Sequence, residues 1–267
     1  MHRKALFMLG GGVVALSVLF ARQTRSSMNC GVCLVPKTQN SADSPVVDVA
    51  LLHKNAEEEE ARERGITFHV MSHGDSHNKR IALTFDDGPH PSWTPRLLDL
   101  LDSLHVRATF FLVGKMVDRY PLLAEREVAE GHEVASHTYS HPNLTKLTGE
   151  QVQSELLKGA DSIKRAVGYS PVFFRPPGGQ YNEKTLLAAK AVGLTPVLWT
   201  ANSKDFSHPS PAVLEQRLLA SPSNGGILLC HDGIEETMRV LPDLVQRLRA
   251  RGYTFVTISE LARKAGS

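Results

Sequence analysis

Thr84-Phe85-Asp86-Asp87-Gly88-Pro89 follows directly on the apolar run Ile81-Ala82-Leu83. The run reads as a short buried strand that Gly88-Pro89 brings to an end. Two carboxylates at the end of a buried strand are costly unless something compensates their charge. A metal ion does so, and a metal-activated water needs a base beside it. The pair therefore fits one carboxylate as ligand and one as proton acceptor. Asp-Gly and Gly-Pro are also ordinary turn dipeptides, so a solvated turn fits this segment equally well when it is taken alone.

Further along, Ser136-His137-Thr138-Tyr139-Ser140-His141-Pro142 follows a second apolar stretch, His132-Glu133-Val134-Ala135. His137 and His141 are four apart, so one helical turn or a tight loop aims both rings at one point. Pro142 biases His141 away from α geometry, which favours a loop at a strand end. Two His and one Asp give three protein ligands for a borderline divalent cation. Such sets leave positions open for water and substrate, the mark of a catalytic rather than a structural metal site. A pair of surface histidines is the plain alternative, because HxxxH by itself is a weak signal.

With both segments in view, the chain resembles the polysaccharide deacetylases, the NodB-homology group of family 4 carbohydrate esterases. Three later segments fit the same pattern in the same order: Phe174-Arg175-Pro176-Pro177-Gly178-Gly179, Trp199-Thr200-Ala201-Asn202-Ser203-Lys204-Asp205-Phe206, and Ile227-Leu228-Leu229-Cys230-His231-Asp232. The resemblance runs from about Arg80 to the C-terminus. It implies that Asp87, His137 and His141 bind one divalent metal, zinc first, with cobalt or manganese as alternatives. It implies that Asp86 is the general base, held ionised and oriented by Arg175. His231 would be the general acid, kept protonated by Asp205. Leu229 and Phe206 would line a small pocket for the acetyl methyl, and the backbone N–H of Tyr139 would help bind the oxyanion.

Each implied role answers a physical need. Amide hydrolysis near neutral pH needs a better nucleophile than bulk water, which a bound divalent metal provides while polarising the carbonyl. A carboxylate takes the remaining proton. Fixed donors stabilise the oxyanion. An amine leaves only when protonated, and a histidine beside a carboxylate is suited to donate that proton. The fourth segment departs from the family's usual Asp-x-x-Asp-Trp: Asn202 replaces the first acid and Phe206 the Trp. The second acid, Asp205, is kept. Phe206 keeps an aromatic wall but loses an N–H and some area.

The resemblance implies hydrolytic N-deacetylation of N-acetylated sugar polymers, peptidoglycan or chitin-type N-acetylglucosamine chains, with release of acetate. An O-acetyl esterase on xylan and a catalytically inactive carbohydrate-binding protein are the alternatives. The retention of Asp86, Asp87, His137, His141 and His231 argues against the second of these.

Composition agrees with a globular enzyme. Of 267 residues, 42% are hydrophobic and 22% charged, and the formal net charge is +2. Nothing there supports a nucleic-acid partner, and no basic run is interleaved with aromatics. The N-terminus differs in kind. His2-Arg3-Lys4 precedes an uncharged apolar stretch from Ala5 to Ala21, and Arg22 and Arg25 follow. Residues 1–25 therefore read as an export signal or a short membrane anchor. Leu19 and Ala21 make a poor cleavage site, which favours an uncleaved anchor. Either reading places the catalytic part outside the cytoplasm.

Cys30 and Cys33 leave a disulfide, a lipid attachment or no role open. Cys230 reads as a small buried hydrophobe. Residues 26–78 read as a polar spacer, with Glu57–Glu60 opening a solvated helix that Gly65 stops. His69, His73 and His77 mimic a metal stripe but read as a solvated loop.

From residue 79 to 267, apolar runs alternate with amphipathic stretches, which implies parallel strands joined by helices. Runs are expected at Ile81–Phe85, Ala108–Val113, Glu133–Ser136, Val172–Arg175, Pro196–Thr200, Gly226–Cys230 and Thr254–Ile258. Every proposed site residue falls at or just after the C-terminal end of such a run, where barrels and open α/β sheets place their sites. About seven strand–helix units, taken with the resemblance, predict an α/β fold: an incomplete or distorted (β/α) TIM-like barrel.

Overall fold

The computed structural model describes residues 68–220 and 222–263. The expected anchor, Cys30, Cys33 and the spacer up to residue 67 lie outside the described residues. Among the described residues no helix is long and apolar enough to cross a membrane.

The strands are β1 (Arg80–Asp86), β2 (Thr109–Leu112), β3 (Glu133–Ser136), β4 (Phe173–Phe174), β5 (Thr195–Pro196), β6 (Ala201–Asn202), β7 (Gly226–His231) and β8 (Thr254–Phe255). The helices are α1 (Thr94–Ser103), α2 (Gly114–Arg119), α3 (Pro121–Ala129), α4 (Gly149–Val167), α5 (Glu183–Val192), α6 (Pro211–Leu219), α7 (Glu235–Ala250) and α8 (Ile258–Ala262). All the strand pairs are parallel. The sheet runs β5-β4-β3-β2-β1-β7-β6. β7 takes one edge of β1 from Ile81 to Asp86, so β8 pairs with the other edge at Arg80 and Ile81, below the Thr84–Asp86 register of β2. The result is a curled parallel sheet with helices outside, a distorted half-barrel. No ladder joins its end strands β5 and β6 among the described residues.

The period-2 alternation of the strands decides what faces where. Ile81, Leu83 and Phe85 of β1 enter the core under the helices, whereas Ala82 enters the inner core. β2 divides likewise, with Phe110 and Leu112 outward and Phe111 inward, and so does β7, with Leu228 and Cys230 outward and Ile227 inward. Continued by the same parity, Thr84 and Asp86 on β1, and Leu229 and His231 on β7, belong to the inner face. β1 is buried from Ile81 to Phe85, the continuous apolar run expected of a strand covered on both faces.

Two differences from the expected elements stand out. The run at Pro196–Thr200 gives a strand only at Thr195–Pro196, and a further short strand, β6, forms beside β7. Two carbonyls of the run, Val197 O and Leu198 O, instead accept from Arg175 Nε (3.3 Å) and Nη2 (3.2 Å). The stretch read as spacer also reaches the sheet before residue 79. Met71 forms a parallel bridge with Val197, its N–H donates to Pro196 O (2.9 Å) and its carbonyl accepts from Leu198 N (2.8 Å). Gly74 N donates to Gly225 O just before β7 (2.7 Å).

Candidate active site

Asp86 is the last residue of β1 and stands in register with Phe111 of β2 and His231 of β7. The next residue, Asp87, takes φ 74. Asp tolerates this left-handed backbone better than most residues. The turn breaks the strand's alternation, so two consecutive carboxylates reach one cluster. Asp86 Oδ2 and Asp87 Oδ1 lie 3.7 and 3.6 Å from His137 Nε2.

Arg175, after β4, is fully buried and Asp86 is 3% exposed. Arg175 Nη1 donates to Asp86 Oδ1 at 2.6 Å and to Thr84 Oγ1 at 2.9 Å. Its guanidinium carbon sits 4.0 Å from the Phe111 ring centroid, a stacked cation–π contact. Burial pushes the Asp86 carboxyl above the usual carboxylate range, and the Arg175 charge pulls it back only in part.

His137 follows β3. Its ring Nδ1 lies 2.8 Å from Arg175 O. A carbonyl only accepts, so the proton is on Nδ1 and the Nε2 lone pair faces the carboxylates. Burial pushes the His137 pKa down to about 3, with Asp87 acting in the opposite sense. Neutral imidazole is the form that ligates metals. His141 Nε2 lies 3.3 Å from Asp87 Oδ1. The donor atoms of Asp87, His137 and His141 all fall within 4.8 Å of one another. The separations of 3.6 and 3.3 Å are within the roughly 4.4 Å spanned by two ligands at about 2.2 Å from a zinc ion. In donor type and spacing the three residues fit one borderline divalent cation. They are the one such group among the described residues. His73 and His77 instead bond locally, to Gly74 O and to Asp75 Oδ1, at 2.7 Å each.

His231 ends β7. Its Nδ1 lies 2.5 Å from Asp205 Oδ1. Burial lowers the His231 pKa, but the Asp205 hydrogen bond and charge outweigh it, and the net shift is upward. Burial raises the Asp205 pKa, and its hydrogen bond to His231 reverses that. Asp205 is buried and fully engaged: Oδ2 accepts from His231 N (2.9 Å) and Thr237 Oγ1 (2.6 Å), and Oδ1 from Phe206 N (3.0 Å). Phe206 is 59% exposed and meets the His231 ring edge-on, with centroids 5.7 Å apart. Leu229 is buried two residues before His231 on the inner face of β7. Asn202 Oδ1 accepts from Lys204 N at 2.8 Å, shaping the turn into Asp205.

The amide expected to help bind the oxyanion has a partner of its own. The Tyr139 N–H donates to Glu155 Oε2 at 3.2 Å, so this amide supports the loop from behind. Sequence reasoning also passed over Thr84, Thr237 and Glu155. Thr84 carries a readable signal, a hydroxyl within a buried apolar strand. Thr237 and Glu155 lie on polar-patterned helices and carry none.

A family model described as polysaccharide deacetylase matches residues 73–197. Over 193 residues the chain is 36% identical to a peptidoglycan-N-acetylglucosamine deacetylase of Bacillus cereus, covering 70% of this chain and 90% of that protein. This chain belongs to the polysaccharide deacetylase family. It is 40% identical over 184 residues to a peptidoglycan-N-acetylglucosamine deacetylase of Listeria monocytogenes; that match takes in 69% of this chain but spans only 39% of the relative's length. The fold agrees. The crystal structure of the Bc1960 peptidoglycan N-acetylglucosamine deacetylase superposes with a TM-score of 0.72 at 30% identity, over 77% of this chain and 97% of that one. This member of the polysaccharide deacetylase family thus presents the carboxylates, imidazoles and buried arginine of its motifs on one rim of the sheet.

Proposed function

We propose that the chain is an exported, metal-dependent deacetylase that removes acetyl groups from N-acetylglucosamine units of a cell-wall glycan, peptidoglycan first. One observation carries the reading. The β1–β7 register sets Asp86 opposite His231, while Asp86 also adjoins the Asp87, His137 and His141 donor set. A base, an acid and a ligand set for a divalent ion therefore share one rim. The named activities of the relatives support the same substrate class.

Asp87, His137 and His141 would hold the ion, which when bound supplies Lewis acidity towards water and the amide carbonyl. Asp86 then takes a proton from the attacking water, with Arg175 fixing its orientation. His231 delivers a proton to the amine nitrogen as the C–N bond breaks, giving acetate and a free amine. Asp205 holds Nδ1–H, so the Nε2 proton is the one available. Phe206 and Leu229 bound the space beside His231 where the acetyl methyl would lie. The basic start and the apolar Ala5–Ala21 stretch support an exported or membrane-attached enzyme.

Acetate release from peptidoglycan, chitooligosaccharides and acetylxylan, with and without chelator, tests this reading. Release from peptidoglycan should stop with chelator and return with zinc. Release from acetylxylan alone would make the protein an ester hydrolase. No release from any substrate by the metal-loaded protein would make it a binding protein. Protease accessibility on intact cells checks the location; a soluble cytoplasmic protein with an intact N-terminus would refute export.

A further inference from the structure

The loop carrying two of the three expected metal ligands is in a strained form. Thr138 and His141 take φ 66 and 58. Such backbone is costly for a non-glycine residue and persists only where its surroundings over-determine it. For a β-branched residue such as Thr it is an outlier.

One face of α4 supplies part of the restraint. Glu155 Oε2 accepts from Tyr139 N (3.2 Å) and Ser140 N (2.8 Å), and Oε1 accepts from Ser140 Oγ (2.8 Å). One turn further, Gly159 lies against the same loop. A Cβ there would come within 2.8 Å of Ser136 Oγ and of the Thr138 carbonyl carbon. Positions 155 and 159 share a helix face. From the other side, Gly114 N and Lys115 N donate to Thr138 O and Tyr139 O, at 2.9 Å each. Within the loop, Thr138 Oγ1 accepts from His141 N (3.1 Å).

We propose that the Glu155–Gly159 face of α4 sets the metal affinity of the site by holding the His137–His141 loop in its strained, ligand-converging form. The inference rests on the metal reading above. Glu155 is a positioning residue: it bonds the backbone between the two histidines and neither imidazole. Without it the loop relaxes to conformers in which the two Nε2 atoms do not converge on Asp87. The apparent dissociation constant then rises as the competent fraction falls. Once metal is bound the geometry is the same, so the defect lies in affinity rather than in the chemical step.

Zinc titration of the metal-stripped full chain against a competing chromophoric chelator tests this, with circular dichroism to confirm folding. Removing an outer-shell partner typically weakens metal affinity about 10–100-fold, and Glu155→Ala should fall in that range. Gly159→Ala, which leaves the carboxylate in place but pushes the helix off the loop, should move the same way. Glu155→Gln should lose less, because its amide oxygen still accepts from both N–H groups. Acetate release by Glu155→Ala should return towards wild type at saturating zinc. Wild-type zinc affinity in folded Glu155→Ala, or lost activity that zinc does not restore, would overturn the proposal. If Glu155→Ala does not fold, Gly159→Ala and Glu155→Gln decide by the same readout. A wild type that takes up neither zinc, cobalt nor manganese overturns the metal reading itself, and this inference with it.

Discussion

His231 and Asp205 show how much chemistry one contact carries. The 2.5 Å bond between Nδ1 and Oδ1 outweighs the burial that would otherwise lower the imidazole pKa. An acid must be protonated to act, so the rate falls as pH rises through its pKa. An upward shift therefore moves the basic limb of kcat/KM above the ordinary histidine range. Asp205→Asn removes the charge, lowers that pKa and should move the basic limb to lower pH, as a pH–rate profile will read. His231→Ala should cost about 10²–10⁴-fold on amides. It should cost much less on an activated aryl ester, whose leaving group needs no proton. Equal losses on both would remove His231 from the role of acid. Asp86→Asn should lose about 10²–10⁴-fold while keeping the metal, because the proposed ligand set is Asp87, His137 and His141. Elemental analysis beside the activity assay checks that pair of outcomes. The residue types here were open to reading, since each motif is a contiguous string. The Tyr139 amide was not, because only the docked α4 shows that Glu155 takes it.

At the scale of elements, α4 is the best specified. Thr148 and Gln151 form a capping box at its start, and Gly168 ends it at φ 85, where no Cβ need be accommodated. Start, stop and amphipathic pattern all lie in local sequence, and the observed Gly149–Val167 span follows them. Thr148→Ala should destabilise the protein by about 1 kcal/mol, the usual cost of a lost N-cap, with kcat unchanged at saturating metal. Urea denaturation measures it, and an unchanged midpoint would show that the box contributes nothing. The two-residue strands β4, β5, β6 and β8 lie at the other extreme. A pair of residues carries no period, so their strand character comes entirely from the neighbours that accept them. Arg175 adds to this by drawing off the Val197 and Leu198 carbonyls that a longer strand would have paired.

For the molecule as a whole, the consequential feature is that no ladder joins β5 and β6 among the described residues. Residues 71–74 cross that gap, bonding to β5 through Met71 and to the start of β7 through Gly74. Met71 is buried with Val197, Ile258 and Leu261 in the inner core. Met71→Ala should therefore cost about 2–5 kcal/mol, as for a core truncation rather than a spacer residue. A thermal or urea midpoint equal to wild type would show that the segment merely lies against the sheet.

The alternation of apolar runs and amphipathic stretches determined the parallel α/β architecture, and the motif strings singled out the residues proposed as ligands, base and acid. Both are written in neighbouring residues, since periodicity and strand-end placement are local properties of the chain. Tertiary structure alone decided the partners. Arg175 meets Asp86 across 89 positions, Asp205 meets His231 across 26, and Glu155 meets Tyr139 across 16. Strand register, helix docking and the path of residues 71–74 set those meetings. They depend on which surfaces bury each other in three dimensions, and a local pattern states only that a face is apolar, not what will cover it.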